Sequence, residues 1–405
     1  MRARPAPRVR LVVLVTLVAL VVAGCGTAGA NAAGPATPSA TPAPTRQIVA
    51  DLRSTWSGYK RAFIQGDGRV IDPTRSGVTT SEGQSYALLR AVWMDDRPEF
   101  DLVWAWTQHN LQVRGDHLFG YLWGEHPNGS WSILSTNTAT DGDEDIALAL
   151  IFAGHRWHDP AYLRAATAIV RDIWRTEVAT VRGTPYLTAG NWAPSVRSPG
   201  IPIDPSYLAP YAYRIFAQLD PADPWMKLVT SSYQVLTACS AAQLGASQSV
   251  FLPPNWCAVQ PATGQVVGDP SMPRANTYGY DAFRVMWRVA LDWQWNRSPR
   301  AHAYLERAAF LRQAWQSHHT LYAEYSHGGA PVGTAQDPTI YGGDIGDFVV
   351  TAPKGAQAIA ETELLPSLRV QTGVAFWGQR DNYFEQNWVW FGLALEAGQL
   401  PNLAR

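Results

Sequence analysis

From about residue 46 onward, the apolar positions of this chain recur mainly at helical intervals. Ile146, Leu150, Ala153 and Trp157 follow one such interval, and Tyr86, Leu89, Arg90 and Trp93 repeat the rhythm after Ser81. The same spacing predicts helices over 160–174, 207–219, 282–293, 300–317 and 386–396. Strict alternation of apolar and polar residues, the mark of a half-buried strand, is scarce. Gly- and Pro-rich stretches separate the helical ones, so residues 46–405 read as one large all-helical domain whose loops carry the functional site.

The N-terminal part has another pattern. Arg2, Arg4, Arg8 and Arg10 precede an apolar run over 11–23, the layout of an export signal. Val22-Ala23-Gly24-Cys25 closes it and resembles the lipobox of bacterial lipoproteins, in which the Cys is acylated and becomes the first mature residue. An ordinary signal peptide with a chance Cys, or a short anchor, is the alternative, although the run is brief for a spanning helix. Residues 26–45 are almost wholly Ala, Thr, Pro, Gly and Ser, too poor in large apolar groups to fold, and read as a tether. The chain thus divides into a signal (1–25), a tether (26–45) and a folded domain (46–405), with the N-terminal lipid as the expected membrane contact.

Composition narrows the partner. Lys and Arg total 32 against 33 Asp and Glu, a net charge of -1 that gives no electrostatic reason to expect nucleic acid and suits a neutral substrate. The 18 Trp and 16 Tyr offer stiff rings able to stack on the C–H faces of sugars, although a ring-rich core would use them too. Cys239 and Cys257 are left over once Cys25 is assigned, and in an oxidising compartment they could pair. Finger spacing and an HExxH arrangement are both missing, so a metal site is not expected.

Three acidic positions could carry chemistry. Ser81-Glu82-Gly83-Gln84 has the S-x-x-Q spacing of a capping box, which places Glu82 in a first helical turn, where it could merely complement the helix dipole. Asp141-Gly142-Asp143-Glu144-Asp145 crowds four acids into five positions ahead of an apolar helix. Capping or calcium would explain it, but the calcium loop's sixth and twelfth positions are Ile146 and Phe152 instead of Gly and Glu. Asp281 precedes another helical stretch, with Arg284 three positions on. All three acids therefore read as helix N-termini converging on one space.

These segments resemble the glycoside hydrolases of family 8, which include bacterial endoglucanases and the cellulase that accompanies cellulose synthase. The matching runs are Ala139-Thr140-Asp141-Gly142-Asp143 with Ile146-Ala147, Ala149, Ala153 and Trp157; Ser81-Glu82-Gly83-Gln84; Leu122-Trp123-Gly124; Pro205-Ser206-Tyr207; Tyr280-Asp281-Ala282-Phe283-Arg284; and Tyr383-Phe384-Glu385-Gln386-Asn387. The resemblance implies an (α/α)6 barrel and an inverting reaction without a cofactor. It puts Glu82 on the proton donor, Asp281 on the base that activates water, and Asp141 on the aspartate that binds the sugar at the cleavage point, also labelled a nucleophile. Tyr207 and Arg284 match polar residues of that subsite, and Trp123 and Trp192 match stacking platforms. Tyr280, Tyr383 and Asp143 lie in the same segments and are expected to meet substrate. Asp204 departs from the Asn that the cellulose-synthase-associated group usually has before Pro-Ser-Tyr, and the stretch 239–257 does not align with the family pattern.

The expected function is endo-cleavage of a β-1,4-glucan by an exported, lipid-anchored enzyme. Xylan, mixed-linkage β-glucan and chitosan are rival substrates. A catalytically silent surface polysaccharide-binding lipoprotein is the rival of another class; the aromatic content fits it, but it has no need of Glu82 and Asp281. A helix N-terminus suits Asp281 as base and opposes Glu82 as acid, so Asp141 or Asp143, together with aromatic burial, is expected to offset the dipole at Glu82.

Overall fold

The computed structural model describes residues 43–245 and 248–405; Cys25, the expected export segment and most of the expected tether lie outside them. In chain order the helices are α1 (Ala43–Phe63), α2 (Ser81–Trp93), α3 (Arg97–Asn110), α4 (Thr140–Arg156), α5 (Pro160–Glu177), α6 (Pro210–Leu219) and α7 (Trp225–Ala241). They continue as α8 (Arg284–Asn296), α9 (Pro299–Arg307), α10 (Phe310–His318), α11 (Pro338–Thr351), α12 (Pro353–Ile359) and α13 (Tyr383–Glu396).

Burial sorts them into two rings. In α2, α4 and α13 almost every side chain is buried, and α6, α8 and α11 come close. Helices apolar all round belong inside. In α5, by contrast, Tyr162, Ala166, Ile169, Val170 and Ile173 bury a single stripe, as Ile48, Leu52, Trp56, Tyr59 and Phe63 do in α1. Inner and outer helices alternate along the chain, and the inner α8, α11, α13, α2 and α4 pack in succession. This is the expected (α/α)6 barrel.

The inner ring depends on close main-chain approach. A Cβ at Gly342 of α11 would lie 2.2 Å from the Trp388 carbonyl oxygen of α13, and one at Gly392 of α13 would lie 2.4 Å from the Gly342 oxygen. Gly346 meets the Met286 oxygen of α8 in the same way, at 2.5 Å. Glycines that weaken an isolated helix are here the condition for packing one helix against the next.

Short antiparallel strands decorate the helix ends. β1 (Thr79–Thr80), β2 (Leu122–Glu125) and β3 (Trp131–Ser135) form one sheet. β4 (Val178–Val181) and β5 (Thr184–Leu187) form a hairpin, and β6 (Ile201–Ile203), β7 (Cys257–Val259) and β8 (Val266–Gly268) form a second sheet. β9 (Thr277–Tyr278) pairs with β10 (Tyr325–Ser326), and β11 (Leu368–Gln371) with β12 (Val374–Trp377). Cys239 at the end of α7 is bonded to Cys257, which faces Ile203 in the register of β6 and β7.

Several sequence expectations change. The first helix starts at Ala43, so residues 43–45 belong to it and not to the tether. The helix expected from 207 starts at Pro210, because Asp204 caps a separate 3-10 turn, Pro205–Tyr207. The stretch 300–317 is split at Ala308 and Ala309, and Arg312 bridges the break by donating to the Leu305 and Glu306 carbonyls at 2.9 and 2.8 Å. Helices α1, α3, α7, α11 and α12 had no counterpart in the periodicity.

The capping box is also replaced. Thr80 caps α2, its hydroxyl accepting from the Gly83 amide at 3.0 Å, while Gln84 turns inward to the Val70 amide and the Thr107 hydroxyl, 2.6 Å from each. Glu82 stays in the first turn, as expected.

Candidate active site

Glu82 and Asp141 are brought together by a missing side chain. A Cβ on Gly142 would stand 2.5 Å from the Ser81 hydroxyl, so only Gly lets the first turn of α4 press against that of α2. Thr140 anchors that turn from the other side, donating to the Thr188 carbonyl at 2.8 Å. Asp281 lies in the turn preceding α8 and not in its first helical turn. The Phe283 amide donates to the Gly279 carbonyl at 3.0 Å, and the Ala282 amide donates to the Asn255 side chain at 3.0 Å, fixing the turn from outside.

Arg284, buried at the head of α8, gathers these acids. Its Nη1 donates to Glu82 Oε2 at 3.1 Å and to Asp141 Oδ2 at 3.0 Å; its Nη2 donates to Asp281 Oδ1 at 2.8 Å, and Nε to the Asp281 carbonyl at 3.2 Å. Asp204 Oδ2 stands 3.5 Å from Nη2. One guanidinium thus faces four carboxyls. Asp281 is the most open of them at 41% side-chain exposure, Glu82 follows at 21%, and Asp141 and Asp204 are buried.

Burial pushes Asp141 up to about 7, with Arg284 opposing the shift and Glu82 adding to it. Asp204 is also raised well above the ordinary carboxylate range, by burial first and by Asp281 second. Glu82 receives two donors, Arg284 and the Tyr383 hydroxyl, the latter at 2.6 Å on Oε1. Asp143 is fully buried, its Oδ1 accepts from the Phe119 amide at 2.9 Å, and Glu177 is its acidic neighbour. Asp143, expected to meet substrate, instead holds the Phe119 amide and has no exposed surface.

The remaining expected residues line the same end of the barrel. Arg284 lies over the Tyr207 ring at 5.4 Å, and Trp256 meets that ring edge-on at 6.4 Å. Tyr280, exposed beside Asp281, donates to Asp337 at 2.8 Å. Trp192 is half-buried next to Gly190, where a Cβ would be 2.3 Å from the Thr138 carbonyl at the approach to α4.

Trp123 is more enclosed than a bare platform. Trp106 meets it edge-on at 5.4 Å, Trp131 tilts against it at 5.3 Å, and the Arg69 guanidinium lies 4.8 Å from its ring and 5.0 Å from that of Trp131. Trp131, which sequence reasoning missed, is the ring of the pair offered to solvent, at 39%. The Asn128-Gly129 turn signal ahead of it would have marked the hairpin. Asp204 was noticed only as a departure and proves to belong to the charged cluster.

Two carboxyls on the two ends of one guanidinium, Asp281 the more open and Glu82 the less, beside exposed rings, form an arrangement suited to acid/base cleavage of a sugar polymer. The family profile described as Glycosyl hydrolases family 8 matches residues 38–332. An endoglucanase of Xanthomonas axonopodis pv. citri (strain 306) is 32% identical over 352 residues, 83% of each chain. Another, from Escherichia coli (strain K12), is 32% identical over 237 residues, 57% of this chain and 61% of that one. Among solved structures, an endo-1,4-D-glucanase from Vibrio fischeri ES114 superposes with a TM-score of 0.69 at 23% identity, covering 84% of this chain and 93% of that one. A beta-1,3-1,4-glucanase from Paenibacillus sp. X4 gives 0.73 at 18% identity, covering 88% and 93%. Those likenesses share the barrel, and the profile extends across the segments that carry Glu82, Asp141 and Asp281. The chain belongs to family 8 of the glycosyl hydrolases and is a glycoside hydrolase.

Proposed function

We propose that this enzyme cuts β-1,4-glucan chains internally with inversion, Glu82 protonating the leaving oxygen while Asp281 takes a proton from the attacking water. The observation that carries this is the shared guanidinium, with Glu82 on Nη1 and Asp281 on Nη2 of Arg284. Inversion needs the two carboxyls roughly 6.5–9.5 Å apart to leave room for water, and a guanidinium with a hydrogen bond at either end spans a length of that order. The exposure of Asp281 suits a base that must meet water. Asp141, buried on the Nη1 side beside Glu82 and held by Arg284 and by the Gly142 amide at 2.9 Å, is assigned to binding the sugar at the cleavage point. The relatives named endoglucanase support the glucan substrate.

Glu82→Gln and Asp281→Asn are each expected to lose roughly 10²–10⁴-fold in kcat on a cello-oligosaccharide while keeping the parent's circular dichroism. NMR of the first product should show the α-anomer. A β-anomer would replace the water-activating Asp281 with a covalent route through Asp141. Assays against cellulose, mixed-linkage glucan, xylan and chitosan decide the polymer, and preference for one of the last three would overturn the substrate assignment.

We also propose export and anchoring through a lipid on Cys25, supported by the basic start, the apolar run over 11–23 and the Val22-Ala23-Gly24-Cys25 segment. Labelled fatty acid should enter the parent and not Cys25→Ser; equal labelling would remove the anchor.

A further inference from the structure

Arg284 has five N–H donors, and their acceptors are not equivalent. Those on Nε and Nη1, and one on Nη2, reach oxygens at 2.8–3.2 Å, whereas the remaining neighbour of Nη2, Asp204 Oδ2, stays at 3.5 Å. An ionised carboxylate without exposed surface, next to a guanidinium N–H, gains more than any other group by closing that gap. Asp204 does not close it. Its Oδ1 accepts from the Ser206 amide at 2.8 Å, and its Oδ2, buried, has no hydrogen-bond partner among the described residues. One positive charge among four carboxyls, two of them out of water, also cannot hold four negative charges at ordinary cost.

We propose that Asp204 is a positioning residue that works as a neutral carboxylic acid, leaving Nη2 of Arg284 to Asp281. The inference rests on the assignment of Asp281 as base and deepens it. Burial and the charge of Asp281 both keep the proton on Asp204, with Arg284 opposing. The other charged or titratable groups around Arg284 are Glu82 and Tyr86 from α2, Asp141 from α4 and Tyr207 from the 3-10 turn. When pH rises through the Asp204 value, its new charge competes for Nη2, and Asp281 loses part of its hold. Activity then falls on the alkaline side for a reason separate from the proton donor.

Asp204→Asn keeps the acceptor for Ser206 and cannot ionise. The ratio of kcat/KM for D204N to that of the parent is expected to increase about tenfold or more as pH is raised from 6 to 9, because only the parent can gain a charge at this position. A ratio that stays constant or falls with pH would overturn the proposal. Should D204N fail to fold, 13C NMR of the Asp204 carboxyl in the parent, assigned through its own β-carbon, reads the same proton: a neutral shift at pH 6 supports the idea and an ionised one refutes it. Asp281→Asn separates the two levels, since full activity in that variant would remove the base assignment whatever D204N does.

Discussion

Tyr383, the first residue of α13, donates its hydroxyl to Oε1 of Glu82, in the first turn of α2, across 2.6 Å. With Arg284 on the other oxygen, both oxygens of Glu82 are held from different inner helices. Tyr383→Phe leaves the ring and removes the donor. Hydrogen bonds to charged groups are worth about 1.5–3 kcal/mol, so kcat is expected to fall roughly 10- to 100-fold. Steady-state kinetics with a melting curve check this; unchanged kcat would mean that Arg284 alone orients Glu82.

Stability should decline as the solution becomes alkaline. Asp141, Glu177, Asp347 and Glu385 are each pushed up to about 7, mainly by burial, and Asp143, Glu144 and Asp344 are raised well above the ordinary range. In the unfolded chain these acids titrate near 4, so the folded state binds the extra protons. Their contribution is full below about 4 and is lost as pH rises through the folded values. Asp95, Asp96 and Asp116 are lowered and act in the opposite direction, below that window. Tm is therefore expected to drop between pH 5 and pH 8, and Glu144→Gln should make the drop shallower. A Tm that rises over this interval would contradict the burial of these acids.

Trp131 should act on binding more than on turnover. Its exposed ring is braced by Trp123 and Arg69, so a sugar stacking on it meets a surface that is already ordered. Trp131→Ala is expected to raise KM on long glucans roughly 3- to 10-fold, the equivalent of about 0.5–1.5 kcal/mol, with a smaller fall in kcat. The effect should fade on short oligosaccharides that do not reach β3. Equal KM for parent and variant on long chains would place the sugar elsewhere.

The disulfide closes a loop of 18 residues between α7 and β7, and chain-entropy arguments give such a crosslink about 3 kcal/mol. Reduction, or Cys239→Ser, should lower the denaturant midpoint without changing the helical signal of the folded state. Identical midpoints with and without reductant would show that the bridge adds nothing.

The outline of the barrel was legible because α2, α4, α5 and α13 repeat apolar residues at helical spacing. Helix α11 was not, since Gly342, Gly343 and Gly346 depress local helix propensity and gain their value only against α8 and α13. The capping box failed for a related reason. Thr80 ends the strand that pairs with Leu122 and so reaches the cap first, and Gln84 is satisfied by Thr107 from α3. Glu82, Asp141, Asp281 and Arg284 were found through motif segments, and the structure brings all four together. Tertiary proximity alone, which no local spacing encodes, turned Asp143 away toward Phe119 and brought Asp204 to Arg284.

At Gly342 and Gly392 the α11 and α13 backbones touch without intervening side chains, which makes the crossing a gauge block for the barrel. A single methyl group there would spread the two staves, and the displacement would travel along α13 to its first residue, Tyr383. The positions most sensitive to substitution should therefore include two glycines that touch no substrate, and a laboratory search for better activity would profit from leaving both untouched.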